Sequence, residues 1–81
     1  MSRSRDVVEV VARALADRPD AVRVVEREQS GQTLVELFMA PGDLGRVIGR
    51  QGRTAAALRT LVAAAADLEG LKATVEFRDE P

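Results

Sequence analysis

The sequence has no Cys and no His among its 81 residues. Disulfides, thiolate zinc sites, Cys nucleophiles and His general bases are therefore excluded. Trp and Tyr are absent as well, and two Phe supply all of the 2% aromatic content. A base-stacking platform built from aromatic rings is not available. No apolar run approaches the roughly eighteen residues of a membrane span; the longest candidate, Ala55 to Ala66, is broken by Arg59 and Thr60. The N-terminus carries early basic residues but no long apolar stretch and no small-residue cleavage site, so a secretory signal is not expected. A soluble, cytoplasmic protein with no membrane insertion is the expectation. An excess of one charge is also missing: 12 basic against 13 acidic residues give a net charge of −1. That balance argues at first against a nucleic-acid ligand. What is present is apolar content of 46%, enough for one small folded domain.

The pattern along the chain gives a coarse α-β-β-α-α-β order. Residues 4–17 read as a helix with Ser4 as its N-cap. Val7, Val8, Val11, Ala12, Ala14 and Leu15 form its apolar stripe, and Pro19 stops it. Residues 21–28 and 33–39 read as strands joined at Ser30-Gly31-Gln32, an antiparallel hairpin being the simplest pairing. Pro41 and Gly42 end the second strand, and Asp43 is placed to cap a short helix over 44–48. Gly49 and Gly52 bracket the tip Arg50-Gln51. A long helix over 53–68 follows, with Ala55, Leu58, Leu61, Val62 and Ala65 as its buried face and Gly70 as its C-cap. Residues 71–78 alternate as a last strand, with Leu71, Ala73, Val75 and Phe77 on one side; a frayed tail, Asp79-Glu80-Pro81, ends the chain.

The charge distribution resolves the apparent neutrality. Residues 1–43 sum to −2, residues 44–66 to +4, and residues 67–81 to −3. The basic block is Arg46, Arg50, Arg53 and Arg59, with no acidic residue between Asp43 and Asp67. Three of these arginines flank or occupy the double-glycine turn ahead of a helix. Helix N-termini offer free N–H groups to anions, glycines let a phosphate backbone come close, and guanidinium groups grip phosphate oxygens bidentately. A polyanion is the natural ligand of such a site. Two nucleotide-binding loops fit poorly. Val47 stands where either a Walker A loop or a dinucleotide fingerprint needs its first glycine, and Arg53 stands where the former needs Lys.

The run GRVIGRQGRTAAALRTLV resembles the Ile-Gly-x-x-Gly core of KH domains. The element order resembles the type II arrangement, and the whole layout over about residues 5 to 78 is similar to the small stand-alone bacterial KH proteins of the KhpA type. The resemblance implies an α+β fold: a single type II KH domain over 1–81, with a three-stranded mixed sheet and helices packed on one face. It also implies single-stranded RNA binding, with about four nucleotides lying beside the loop. By position, Gly49, Arg50, Gln51 and Gly52 are then the loop, Arg53 adds charge at its exit, and Val47 and Ile48 begin the apolar floor under the bases. Residues of the second strand are candidates for the opposite wall. Arg46 and Arg59 join the candidates on charge placement alone. The family often has Lys in the loop where this chain has Arg50, which keeps the charge.

The resemblance further implies a post-transcriptional regulator or RNA chaperone, and a homodimer or a heterodimer with a larger KH-containing protein. The alternative reading is a dimerisation module in which the glycine turn is mainly structural. Without His or Cys, and with carboxylates read as scattered on solvated faces, no catalytic residue, cofactor or metal is expected.

Overall fold

The computed structural model describes residues 2–79; Met1, Glu80 and Pro81 lie outside the described residues, and with them the expected fraying of the last two, whereas Asp79, expected in the frayed tail, is the last residue of a strand paired with Met39. Helix α1 spans Arg3–Leu15 and a 3₁₀ turn spans Pro19–Ala21. Strands β1 (Arg23–Gln29) and β2 (Gln32–Met39) follow. Helix α2 (Leu44–Ile48), a 3₁₀ tip (Arg50–Gly52) and helix α3 (Arg53–Leu68) lead to β3 (Ala73–Asp79). The sheet order is β1-β2-β3. β1 and β2 pair antiparallel through a two-residue turn at Ser30 and Gly31, both at positive φ, so that Gln29 faces Gln32. Gln32 thus opens β2 rather than belonging to the turn. β2 and β3 pair parallel, with Val35 opposite Val75. Parallel neighbours need a long crossover, and α2 and α3 supply it.

β2 is the central strand, which explains its near-continuous apolar run. Val35, Leu37 and Met39 point into the core with Val8 and Ala12 of α1, Val22, Val47 of α2, Leu58 and Val62 of α3, and Val75 of β3. α1 and α3 pack on this one face of the sheet and on each other. The other face carries Glu36, which is buried although it was expected among solvated carboxylates. Arg27 of β1 bonds to it, and Arg78 of β3 reaches it at 2.8 Å. Arg27 and Arg78 each sit two residues beyond the direct partners of Glu36, Val25 and Glu76, and so on the same face, where long side chains meet diagonally across strands. The Arg27 hydrogen bond above all holds the Glu36 carboxyl below its ordinary value, against the opposing effect of burial.

Several local expectations need correction. Ser2, not Ser4, caps α1, accepting from the Arg5 N–H at 3.1 Å. Ser4 lies inside the helix, buried, with its hydroxyl donating to the Val62 carbonyl of α3 at 3.3 Å. α1 ends at Leu15, two residues early, because Ala16 turns extended. Ala14 and Leu15, inside the last turn of α1, are exposed rather than in the stripe. Leu71 precedes β3 and is exposed, and Leu61 of α3 is 51% exposed rather than buried; Ala66 takes the inward position. Gly70 ends α3 as expected: its N–H donates to Asp67 and that of Leu71 to Ala66, the paired bonds of a Schellman motif.

Candidate nucleic-acid interface

The chain enters the site through Asp43. This residue precedes α2 but makes no side-chain cap to it. Its carboxylate is buried and turned back toward the α1–β1 connection, where Oδ2 accepts from the Arg18 N–H at 2.9 Å. Oδ1 lies 3.5 Å from Nε of Arg46. Asp43 therefore ties the start of α2 to the body of the domain. Val47 is fully buried in the core and anchors α2 there, whereas its neighbour Ile48 is half-buried. Of the two residues expected to begin an apolar floor, only Ile48 offers surface; Val47 supports it from beneath.

At Gly49 the helix stops. Its φ of 76° and ψ of 176° fall in a region that is essentially closed to residues with a Cβ. A Cβ here would stand 2.4 Å from Oγ1 and 2.8 Å from Cβ of Thr54. The tip then closes by a Gly52 N–H to Gly49 carbonyl bond of 3.1 Å. Gln51 sits at φ 56°, ψ 24°, a left-handed conformation uncommon for a side-chain-bearing residue. Gly52, also left-handed, is the N-cap of α3, and no side chain caps that helix. The Arg53 N–H, first of the sixteen-residue helix, already donates to the Arg50 carbonyl; no side chain caps the rest of the first turn, and the positive end of the helix dipole lies at the tip.

The four arginines divide unequally. Arg50 and Arg53 are exposed at the tip, and among the described residues neither forms an ion pair. Arg46 is exposed nearby but shares its charge with Asp43. Arg59 lies elsewhere. Six residues beyond Arg53, it is about 9 Å further along α3 and about 120° around it. There its guanidinium covers the Phe77 ring at 5.1 Å. The structure thus gathers Ile48, Gly49, Arg50, Gln51, Gly52 and Arg53 into one surface, with Arg46 at its margin, and leaves out Val47 and Arg59. The described residues enclose no pocket and hold no cluster of three metal-ligating side chains. What the tip offers is an open, positively charged surface beside a small apolar step.

Two contributors were not singled out from sequence. Asp43 was read as a helix cap; its burial depends on Arg18, 25 residues away in the chain, which no local pattern reveals. Thr54 lies in the first turn of α3. Its one local signal is that a helical Cβ leans toward the N-terminus of its helix, and hence here toward the loop.

A mixed β1-β2-β3 sheet, covered on one face by helices and carrying a Gly-x-x-Gly tip between two of them, defines a type II KH domain. Comparison with known proteins agrees: the family model for the KhpA/KhpB KH domain matches residues 5–77. A protein of Caldanaerobacter subterraneus subsp. tengcongensis, named RNA-binding protein KhpA, is 49% identical over 72 residues, covering 89% of this chain and 96% of that one. The Leifsonia xyli protein of the same name is 49% identical over 70 residues, 86% of this chain and 90% of its own. The Aquifex aeolicus one is 43% identical over 77 residues, 95% and 98%. The chain belongs to the KhpA/KhpB KH-domain family. Its relatives are named for binding RNA, and none of these names is an enzyme's.

Proposed function

We propose that this chain, acting as a single KH domain, binds single-stranded RNA at the Gly49–Arg53 tip. The observation that carries the reading is the coincidence of an α3 N-terminus without a side-chain cap and two arginines, Arg50 and Arg53, that form no ion pair among the described residues, on a glycine-bracketed loop. Backbone N–H groups and guanidinium groups hold the sugar-phosphate chain, and Ile48 supports a base. Relatives named for RNA binding support the same assignment. With roughly three or four phosphate contacts, log affinity should fall with log salt at a slope of about −2 to −3. Binding through backbone contacts, without stacking aromatics, gives modest affinity and little sequence preference. A cytoplasmic setting, where the RNA is, and a role as post-transcriptional regulator or RNA chaperone go with this reading. Fluorescence anisotropy with a short single-stranded RNA tests it, comparing the wild type with the Arg50→Asp, Gln51→Asp double variant. Loss of binding in the variant is expected; equal binding by both overturns the reading.

Self-association, with a larger KH-containing protein as the competing partner, has its own support. Ala57, Leu61, Ala64 and Leu68 recur at intervals of four, three and four residues along α3. All four are exposed, Leu61 by 51% and Leu68 by 74%. That spacing is the seam of a helix pair. A second copy in antiparallel contact would set each Leu against an Ala. Pairing would place two RNA sites in one particle and raise their joint affinity through effective concentration. Light scattering over a range of concentrations tests this. The expected result is a mass above the 8.7 kDa chain that Leu61→Lys returns to monomer. A strict monomer throughout removes self-association.

A further inference from the structure

The two glycines of the tip are not equivalent. A Cβ added at Gly52 would meet nothing within 4 Å, whereas one at Gly49 would meet three atoms of Thr54, the nearest being the hydroxyl oxygen at 2.4 Å. The hydrogen of Gly49 that takes the place of a side chain therefore faces the oxygen of Thr54. A side chain at that position would collide with Thr54, so the contact acts as a steric stop. Thr54 is half-buried at the second position of α3, behind the loop rather than on its outer surface. Its Cβ leans back toward Gly49 because helical side chains tilt to the N-terminus, and β-branching holds it in few rotamers. Gly49 is the hinge at which α2 ends and the tip begins. Its ψ sets the direction in which Arg50 and Gln51 leave.

We propose that Thr54 is a positioning residue for the RNA loop. By filling the space behind Gly49 it fixes the hinge and thereby pre-orders the tip before RNA arrives. The inference rests on the RNA-binding reading above and extends it to a residue that does not itself touch the ligand. Pre-ordering raises affinity because less loop freedom is lost on binding.

The experiment compares wild type, Thr54→Ala and Thr54→Ser by RNA anisotropy, thermal denaturation, and backbone amide NMR of the RNA-free proteins. Thr54→Ala is expected to weaken binding about three- to tenfold, a loss of a few-fold being typical when one ordering contact goes. Its denaturation midpoint should stay close to wild type, because Thr54 lies outside the hydrophobic core. The amides of Gly49 to Gly52 should shift or broaden in free Thr54→Ala, and Thr54→Ser, which retains the oxygen but loses the branch that restricts its rotamers, should lie between Thr54→Ala and wild type. The RNA-free spectra separate positioning from direct phosphate contact: a hydroxyl that only touches phosphate leaves the free loop unchanged when removed. Equal RNA affinity in wild type and Thr54→Ala overturns the proposal alone, as do unchanged loop amides. A wild type that binds no RNA overturns the proposal and the reading beneath it together.

Discussion

Replacing Gly49 by Ala tests the geometry of the tip by stability alone, without any ligand. Two costs apply. The backbone at φ 76°, ψ 176° charges a residue with a Cβ about 1–3 kcal/mol. The new methyl would also stand 2.4 Å from Oγ1 and 2.8 Å from Cβ of Thr54, an overlap that is relieved only by moving α3 or the hinge, at about 1–3 kcal/mol more. The sum is about 2–6 kcal/mol. Gly52→Ala provides the control. Its left-handed backbone costs about 1–2 kcal/mol, and nothing stands within 4 Å of the added carbon. In a domain of this size each kcal/mol lowers the denaturation midpoint by about 4–8 °C. Urea and thermal denaturation should therefore rank wild type above Gly52→Ala and Gly52→Ala above Gly49→Ala. Adding Thr54→Ala to Gly49→Ala removes the Oγ1 overlap but keeps the Cβ at 2.8 Å, so it should recover a part of the steric cost and leave the backbone part. Equal losses at the two glycines, or no recovery in the double variant, would refute the reasoning.

Two further outcomes follow from buried carboxylates. Asp43→Ala removes the carboxylate that accepts from the Arg18 N–H and should cost about 1–3 kcal/mol in urea denaturation, since a part-buried hydrogen bond to a charged group is lost. Glu36 is held below its ordinary value of 4.5 by its bonds from Arg27 and then by the nearby Arg78. In that window the unfolded chain binds more protons, so stability is fully present above pH 4.5 and falls as the pH drops through the lowered value. Glu9, lowered by its hydrogen bonds from Arg5 and Arg13, adds in the same direction. The acid limb of a stability–pH curve should flatten in Glu36→Gln, and an unchanged limb would contradict this assignment.

The elements that the sequence made legible are those with local causes. Pro19, the Ser30-Gly31 turn, the alternation of Ala73, Val75 and Phe77, and the Gly70 terminator each act within a few residues, and the order α-β-β-α-α-β followed from them. The misread positions are those decided at a distance. Ser4 and Ser2 are both plausible caps by type, and packing of Ser4 against Val62 settles which one lies inside. Leu61 fits the periodicity of the buried stripe 55, 58, 62 and 65 as well as that of the exposed stripe 57, 64 and 68. Only the placement of α1 and the sheet separates the two. Glu36 reads as a solvent-facing acid in a strand until Arg27 and Arg78 are brought to it by register. At the site, residue types announced the tip and its charge. The withdrawal of Arg59 onto Phe77 and the burial of Val47 depend on how α3 and α2 meet the core.

The central claim is that the Gly49–Arg53 tip holds a phosphate backbone. Its most direct measurement is the affinity for a short single-stranded RNA as a function of salt, for the wild type and for Arg50→Asp, Gln51→Asp. A slope of about −2 to −3 is expected for the wild type, with loss of binding in the variant while its denaturation midpoint is kept. Wild-type binding that ignores salt, or a folded variant that binds as well as the wild type, would contradict it.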